Sequence, residues 1–188
     1  DEDGRTYLKD FGAATASNGA VGLYHVEGIP PEAVRQGRGL VKPGARTYVV
    51  DDAELQRVYD SYPVVWKKRD ARPKLCFMGC PHMSFNQLVT WTERIEQALA
   101  ELGRDRVVIP TVFTAPAVLK RFGETPYAAR LKATGVITSY ICPLMYMNNP
   151  LCASMPVITS SNKLRTYTTA RYYTDDEILE QITKGGER

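Results

Sequence analysis

Lys74-Leu75-Cys76-Phe77-Met78-Gly79-Cys80-Pro81-His82-Met83-Ser84 is the stretch on which the fold turns. Lys74 to Met78 is a short apolar run of strand length, and Gly79 and Pro81 end it, because neither sits comfortably inside a ladder. Ser84 then stands at the N-cap of a helix over Phe85 to Leu102, with Gln87 in capping-box register and Gly103 just past the end. Leu88, Trp91, Ile95, Ala98, Leu99 and Leu102 recur at helical spacing and make one apolar face. Strand, glycine-bearing loop and amphipathic helix in that order are the opening of a βαβ unit.

The same alternation repeats outward. Arg106 to Ile109, Gly135 to Ile141 and Pro156 to Thr159 read as further strands, with Thr47 to Val50 as one upstream. Between and after them, Ala115 to Phe122, Pro126 to Lys132 and Asp175 to Thr183 read as helices, and Asp51 caps one running to about Tyr59. The expected fold is α/β: a mostly parallel, doubly wound sheet of four or five strands with helices on both faces, in three layers. Residues 1–45 differ in character. Thr6 to Ser17 reads as a helix, Val21 to Val26 as a strand whose His25 meets a buried hydrogen bond, and Pro31 as the first residue of another helix. Gln36 to Gly44 is rich in glycine and basic residues and reads as a connection. The expected division is an N-terminal segment, 1–45, completing an adjoining domain or sheet, and an α/β catalytic domain, 46–188.

Composition narrows the function. The 188 residues carry 24 Lys+Arg against 21 Asp+Glu, a net charge of +3 too small and too evenly spread for a nucleic-acid partner. No run reaches the length of apolar residues that a membrane span needs. Ala133 to Asn162 lacks any charged residue or histidine, but Pro143, Pro150 and Pro156 interrupt it, so it is expected to be buried or to face a site. Four cysteines are too few for a disulfide scaffold, and a reducing, cytoplasmic setting is expected. The chain opens on Asp1 in place of a start methionine, so a trimmed or partial chain is expected.

Ligands of doubly wound sheets bind beyond the carboxyl ends of the strands, where loops are free. Cys80 and Cys142, each followed by proline, both fall there. Two readings stand: a shared metal or iron-sulfur site, since thiolates are soft ligands, or two buried cysteines acting as small hydrophobes. Cys76 lies within a strand and reads as core. Cys152 sits in the uncharged segment and matches no tight metal spacing. His82 follows Cys80 closely enough to share its cleft as an acid, donor or ligand, or to be a surface residue. Beyond the strand Pro156 to Thr159, Ser160-Ser161-Asn162-Lys163-Leu164-Arg165-Thr166-Tyr167-Thr168-Thr169 offers hydroxyls, an amide and two cations. That is the chemistry of a carboxylate or phosphate seat, or of a polar turn.

Four motifs in order resemble the large-subunit catalytic region of aconitase X, over about Phe11 to Tyr173. They are Leu23-Tyr24-His25-Val26-Glu27-Gly28-Ile29-Pro30-Pro31-Glu32-Ala33, Gly79-Cys80-Pro81-His82-x-Ser84, Cys142-Pro143-Leu144-Met145 and Ser161-Asn162-Lys163-Leu164-Arg165-Thr166-Tyr167-Thr168. The resemblance implies a fold like the iron-sulfur domains of aconitases and a hydro-lyase that uses an iron-sulfur cluster as Lewis acid. It implies a small hydroxy-acid substrate such as cis-3-hydroxy-L-proline or mevalonate 5-phosphate, and a small swivel domain or subunit as partner. It also implies that the chain is the C-terminal half of a longer large subunit whose upstream half is a further partner. In these terms Cys80 and Cys142 are cluster ligands and metal-binding residues, His82 is catalytic, bonding the departing hydroxyl, and Ser84, Ser161, Asn162, Lys163 and Arg165 bind substrate. Cys142 and Met145 stand where aconitases proper have a C-x-x-C pair, so a third thiolate is expected from the upstream half, and the isolated chain is expected to be inactive. The competing reading is a non-catalytic α/β binding or scaffold domain with reduced structural cysteines.

Overall fold

The computed structural model describes residues 2–185, with side chains from Tyr7 onward. Its centre is a five-stranded, all-parallel sheet: β1 (Leu75–Met78), β2 (Thr111–Thr114), β3 (Ile137–Ser139), β4 (Val157–Thr159) and β5 (Arg171–Tyr172), in the order β3-β2-β1-β4-β5. Cys76 pairs with Thr111 on one side and Ile158 on the other, so β1 is the middle strand. The chain winds outward from β1 in one direction to β3 and in the other to β5. The sheet therefore has a topological switch point between β1 and β4.

The helices are α1 (Glu2–Gly19), α2 (Pro31–Gln36), α3 (Asp52–Asp60), α4 (Phe85–Glu101), α5 (Leu119–Gly123), α6 (Pro126–Ala133), α7 (Pro143–Met147), α8 (Pro150–Ala153), α9 (Asn162–Tyr167) and α10 (Asp175–Lys184). Successive strand residues point to opposite faces, and each face carries its own core. On one side Cys76, Met78, Phe113 and Ile158 pack against Leu88, Trp91, Ile95 and Leu99 of α4 and Ile178 and Ile182 of α10. On the other, Phe77, Val112 and Val157 pack against Met147 of α7 and Leu164 of α9. This is the three-layer α/β/α arrangement. No described helix is long and apolar enough to cross a membrane.

The helix ends follow their capping chemistry. Ser84 and Gln87 close a reciprocal capping box on α4, and Thr174 and Glu177 close another on α10. Asp51 accepts the Glu54 N–H at 2.8 Å to start α3. Pro31 occupies the first turn of α2 as expected.

Three strand expectations are corrected. Val21 to Val26 and Thr47 to Val50 form no strand, and Tyr48, Val49 and Val50 are exposed at 71%, 73% and 62%. Their β-branched residues have strand propensity but no sheet edge to pair with, and propensity alone does not make a strand. Arg106 to Ile109 is not the second strand either. Val107 and Val108 give their N–H groups to Thr134 and Ile182 across helix ends, and the ladder starts only after Pro110. Gly135 to Ile141 shortens to β3, Ala115 to Phe122 starts late as α5, and β5, two residues long, had no signal of its own. His25 is exposed, so the buried hydrogen bond expected for it is not made.

Candidate active site

β1 ends in a turn that only glycine can make. Gly79 has φ +104°, and a Cβ there would collide with the Thr114 carbonyl oxygen at the end of β2. That close approach, with a cis peptide between Cys80 and Pro81, carries the chain over the top of the sheet. The same Thr114 organises the neighbouring loop: its carbonyl accepts the Met83 N–H at 2.9 Å, and its hydroxyl donates to the Ile141 carbonyl at 3.0 Å. One residue thus holds the loops of Cys80 and Cys142 together, which brings Cys142 close enough to influence the Cys80 thiol electrostatically.

Cys80 is buried and Cys142 half-buried. Burial, and then the adjacent Cys142, push the Cys80 thiol above its ordinary range, while a hydrogen bond with Ser161 and the charge of Lys163 pull the other way. Cys76, fully enclosed in the core, is pushed up more strongly by burial. Cys152 is half-buried and packs at the edge of the second core.

β4 delivers the facing wall. The Ser161 N–H donates to Thr159 Oγ1 at 3.1 Å, its hydroxyl accepts the Leu164 N–H at 2.9 Å as N-cap of α9, and that hydroxyl also donates to the Cys80 carbonyl. The bond ties the β4 loop to the β1 loop across the switch point. Between them opens a cavity of about 680 Å³ lined by Cys80, Ser161, Asn162 and Lys163 among others. No carboxylate pairs with Lys163 among the described residues.

Helix α1 roofs this cavity. Lys9 Nζ donates to the His82 carbonyl at 2.5 Å and to Gln87 Oε1 at 2.9 Å, and at the other end Asn18 Oδ1 accepts from Arg165 Nη2 at 2.8 Å and Thr166 Oγ1 at 2.7 Å. Tyr7, Asp10, Phe11 and Ala14 follow one helical face and line the cavity. Desolvation and then Asp175 hold the Asp10 carboxyl above its usual range, against the opposing charge of Lys9.

The residues singled out in the sequence fall into two groups. Cys80, Ser161, Asn162 and Lys163 line the cavity, with Cys142 against Cys80. The remaining three lie outside the lining: His82 is exposed, Ser84 spends its hydroxyl on the α4 cap, and Arg165 is stacked on Tyr62 at 3.9 Å from the ring centroid. Tyr172, Asp175 and the α1 residues line the cavity without having been singled out. The 7-10-11-14 spacing marks one face of α1, but nothing in that spacing, or in the sequence around β5, tells what the face covers.

For an iron-sulfur cluster the described residues offer two neighbouring thiols, Cys80 and Cys142. Their softness, adjacency and partial enclosure suit one edge of such a group, but no set of three His, Cys, Asp or Glu side chains among the described residues could enclose a metal. The chain offers part of a ligand set.

Residues 1–60 match the family model of the aconitase X second domain. The chain is 29% identical over 163 residues to the phosphomevalonate dehydratase large subunit of Methanosarcina mazei, covering 85% of this chain and 35% of that protein. It is 31% identical over 121 residues to the protein of the same name from Thermococcus kodakarensis, covering 63% and 27%. It spans about a third of the length of these curated relatives. In fold it resembles the holo-form of Thermococcus kodakaraensis aconitase X, with a TM-score of 0.73 at 23% identity, over 94% of this chain and 44% of that one. By that family-model match and these relatives the chain is similar to the aconitase X family, and the relatives it matches are named dehydratases.

Proposed function

We propose that this chain supplies the sheet-borne part of an aconitase X-type hydro-lyase acting on a small hydroxy acid, such as cis-3-hydroxy-L-proline or mevalonate 5-phosphate. The observation that carries the reading is the convergence, beyond the carboxyl edge of the sheet, of the Cys80 and Cys142 loops, tied by Thr114, and of Lys163 on the opposite wall, which pairs with no carboxylate among the described residues. In this reading Cys80 and Cys142 are two of the thiolates that hold an iron-sulfur cluster. When bound, the cluster supplies a Lewis acid for the leaving hydroxyl. Lys163 and Asn162 seat the substrate's anion, Ser161 holds the two loops in register, and α1 keeps bulk water off the reacting carbons. Elimination removes a carbon-bound proton and the neighbouring hydroxyl together as one water, leaving a double bond. His82, with its ring exposed, has no part in this assignment.

Residues 1–45 are proposed to complete an adjoining domain, which the match of residues 1–60 to a second-domain model supports. A small swivel domain or subunit is the proposed partner, supported by the "large subunit" in the relatives' names.

The test is iron content and turnover together, in the full protein with its partner, prepared anaerobically. Broad visible absorption, iron, and dehydration of a hydroxy acid that Cys142→Ser abolishes are the expected results. A colourless, iron-free assembly without turnover overturns the proposal in favour of a binding domain.

A further inference from the structure

Arg165 reads in sequence as an anion ligand, but its guanidinium is already committed. Nε donates to Asn162 Oδ1 at 3.2 Å, Nη2 donates to Asn18 Oδ1 at 2.8 Å, and the plane lies over Tyr62. A guanidinium has only donors. The end of the Asn162 amide that it meets must therefore be the oxygen, which leaves the Nδ2 end facing away from Arg165. That amide nitrogen has no hydrogen-bond partner among the described residues, and Asn162 lines the cavity next to Lys163. Arg165 is itself held from three directions: by the last turn of α1 through Asn18, by the Tyr62 ring after α3, and by the start of α9.

We propose that Arg165 is a positioning residue that fixes the polarity of Asn162, so that Asn162 Nδ2 donates, beside Lys163, to an oxygen of an anionic ligand in the cavity. The inference rests on the reading of this cavity as the anion seat of a dehydratase, and it replaces direct anion contact by Arg165 with action through Asn162. The wall then presents an amide donor and an ammonium, chemistry that accepts a carboxylate or a phosphate oxygen and disfavours a donor group.

The test needs no cluster and no turnover. In the ¹⁵N-labelled chain, the Asn162 side-chain amide signals are those missing from Asn162→Asp. Titration with inorganic phosphate, and separately with acetate, is expected to shift them, and the anion that shifts them at lower concentration identifies which oxygen the seat prefers. Asn162→Asp keeps an acceptor for Arg165 but turns the cavity-facing donor into an acceptor. It is expected to weaken binding of the preferred anion about tenfold or more without lowering the thermal midpoint. Arg165→Ala is expected to weaken it about threefold to tenfold, and to add nothing in an Asn162→Ala background. Amide signals unmoved by either anion, or an equal Arg165→Ala loss with and without Asn162, overturn the inference. If Arg165→Ala fails to fold, Asn162→Asp carries the test alone, and unchanged affinity in that variant overturns it. Anion binding that behaves as expected in a protein without iron or turnover would leave the positioning role standing while the dehydratase reading falls.

Discussion

At Gly79 the backbone of β1 turns against the end of β2 with no room for a side chain. Gly79→Ala is expected to cost about 2–4 kcal/mol, since it combines a positive φ with a backbone collision. Urea unfolding measures it, and a loss below about 1 kcal/mol would mean that the turn relaxes freely. A different outcome is expected at Lys163: with no paired carboxylate, Lys163→Ala leaves stability nearly unchanged. In the assembled enzyme it weakens substrate binding about 10- to 100-fold, the usual worth of one charge-assisted bond. Steady-state kinetics shows this as a rise in KM, and an unchanged KM removes Lys163 from the anion seat. At this scale the sequence was informative where chemistry is local. Cysteines at strand ends, a glycine and proline in the loop, and hydroxyls after β4 announce their positions through neighbours in the chain. Arg165 did not: its partners Asn18 and Tyr62 lie on segments remote in sequence, and nothing beside it tells a committed guanidinium from a free one.

Among the elements, α4 was legible end to end because its cap, its apolar face and its terminating glycine agree. Ser84→Ala is expected to cost about 1 kcal/mol through loss of the capping box, read as a fall in thermal midpoint. Anion binding in the cavity should be unaffected, because the Ser84 hydroxyl is spent on the cap; weakened binding at unchanged stability would return Ser84 to the substrate. The strands were less legible. Thr47 to Val50 has as much β-branched character as β4, yet β4 has β1 and β5 on either side and Thr47 to Val50 has neither neighbour. Pairing is a property of the sheet, which a run of four residues cannot carry. Val49→Lys is accordingly expected to change the stability of this chain by no more than about 0.5 kcal/mol in denaturant titration.

Across the whole molecule, several acids are held protonated chiefly by burial: Cys76, Cys80, Tyr59 and Tyr172, the last up to about 12. The folded state binds these protons more tightly than the unfolded chain does. The stability they contribute is complete below the unfolded thiol value of 9.0 and is lost as pH rises above it toward the folded values. A thermal midpoint that falls between neutral pH and about pH 10.5, and falls less in Cys76→Val, is the expected result; a flat profile would show these groups to be solvated. The doubly wound plan was legible from the alternation of strand and helix signals, while the roofing by α1 was not, because it depends on side chains that meet only after the sheet exists. The strand order also dictates a sequence of events in time. Thr111 is far nearer to Cys76 along the chain than Ile158 is, so β1 and β2 can zip while β4 is still searching, the shorter loop being the faster to close. The cavity straddles the later seam and is then roofed by the N-terminal helix, so the ligand-binding pocket is among the last parts of the molecule to come into being. A refolding chain should accordingly recover protection of its β1 and β2 amides before it recovers any affinity for an anion.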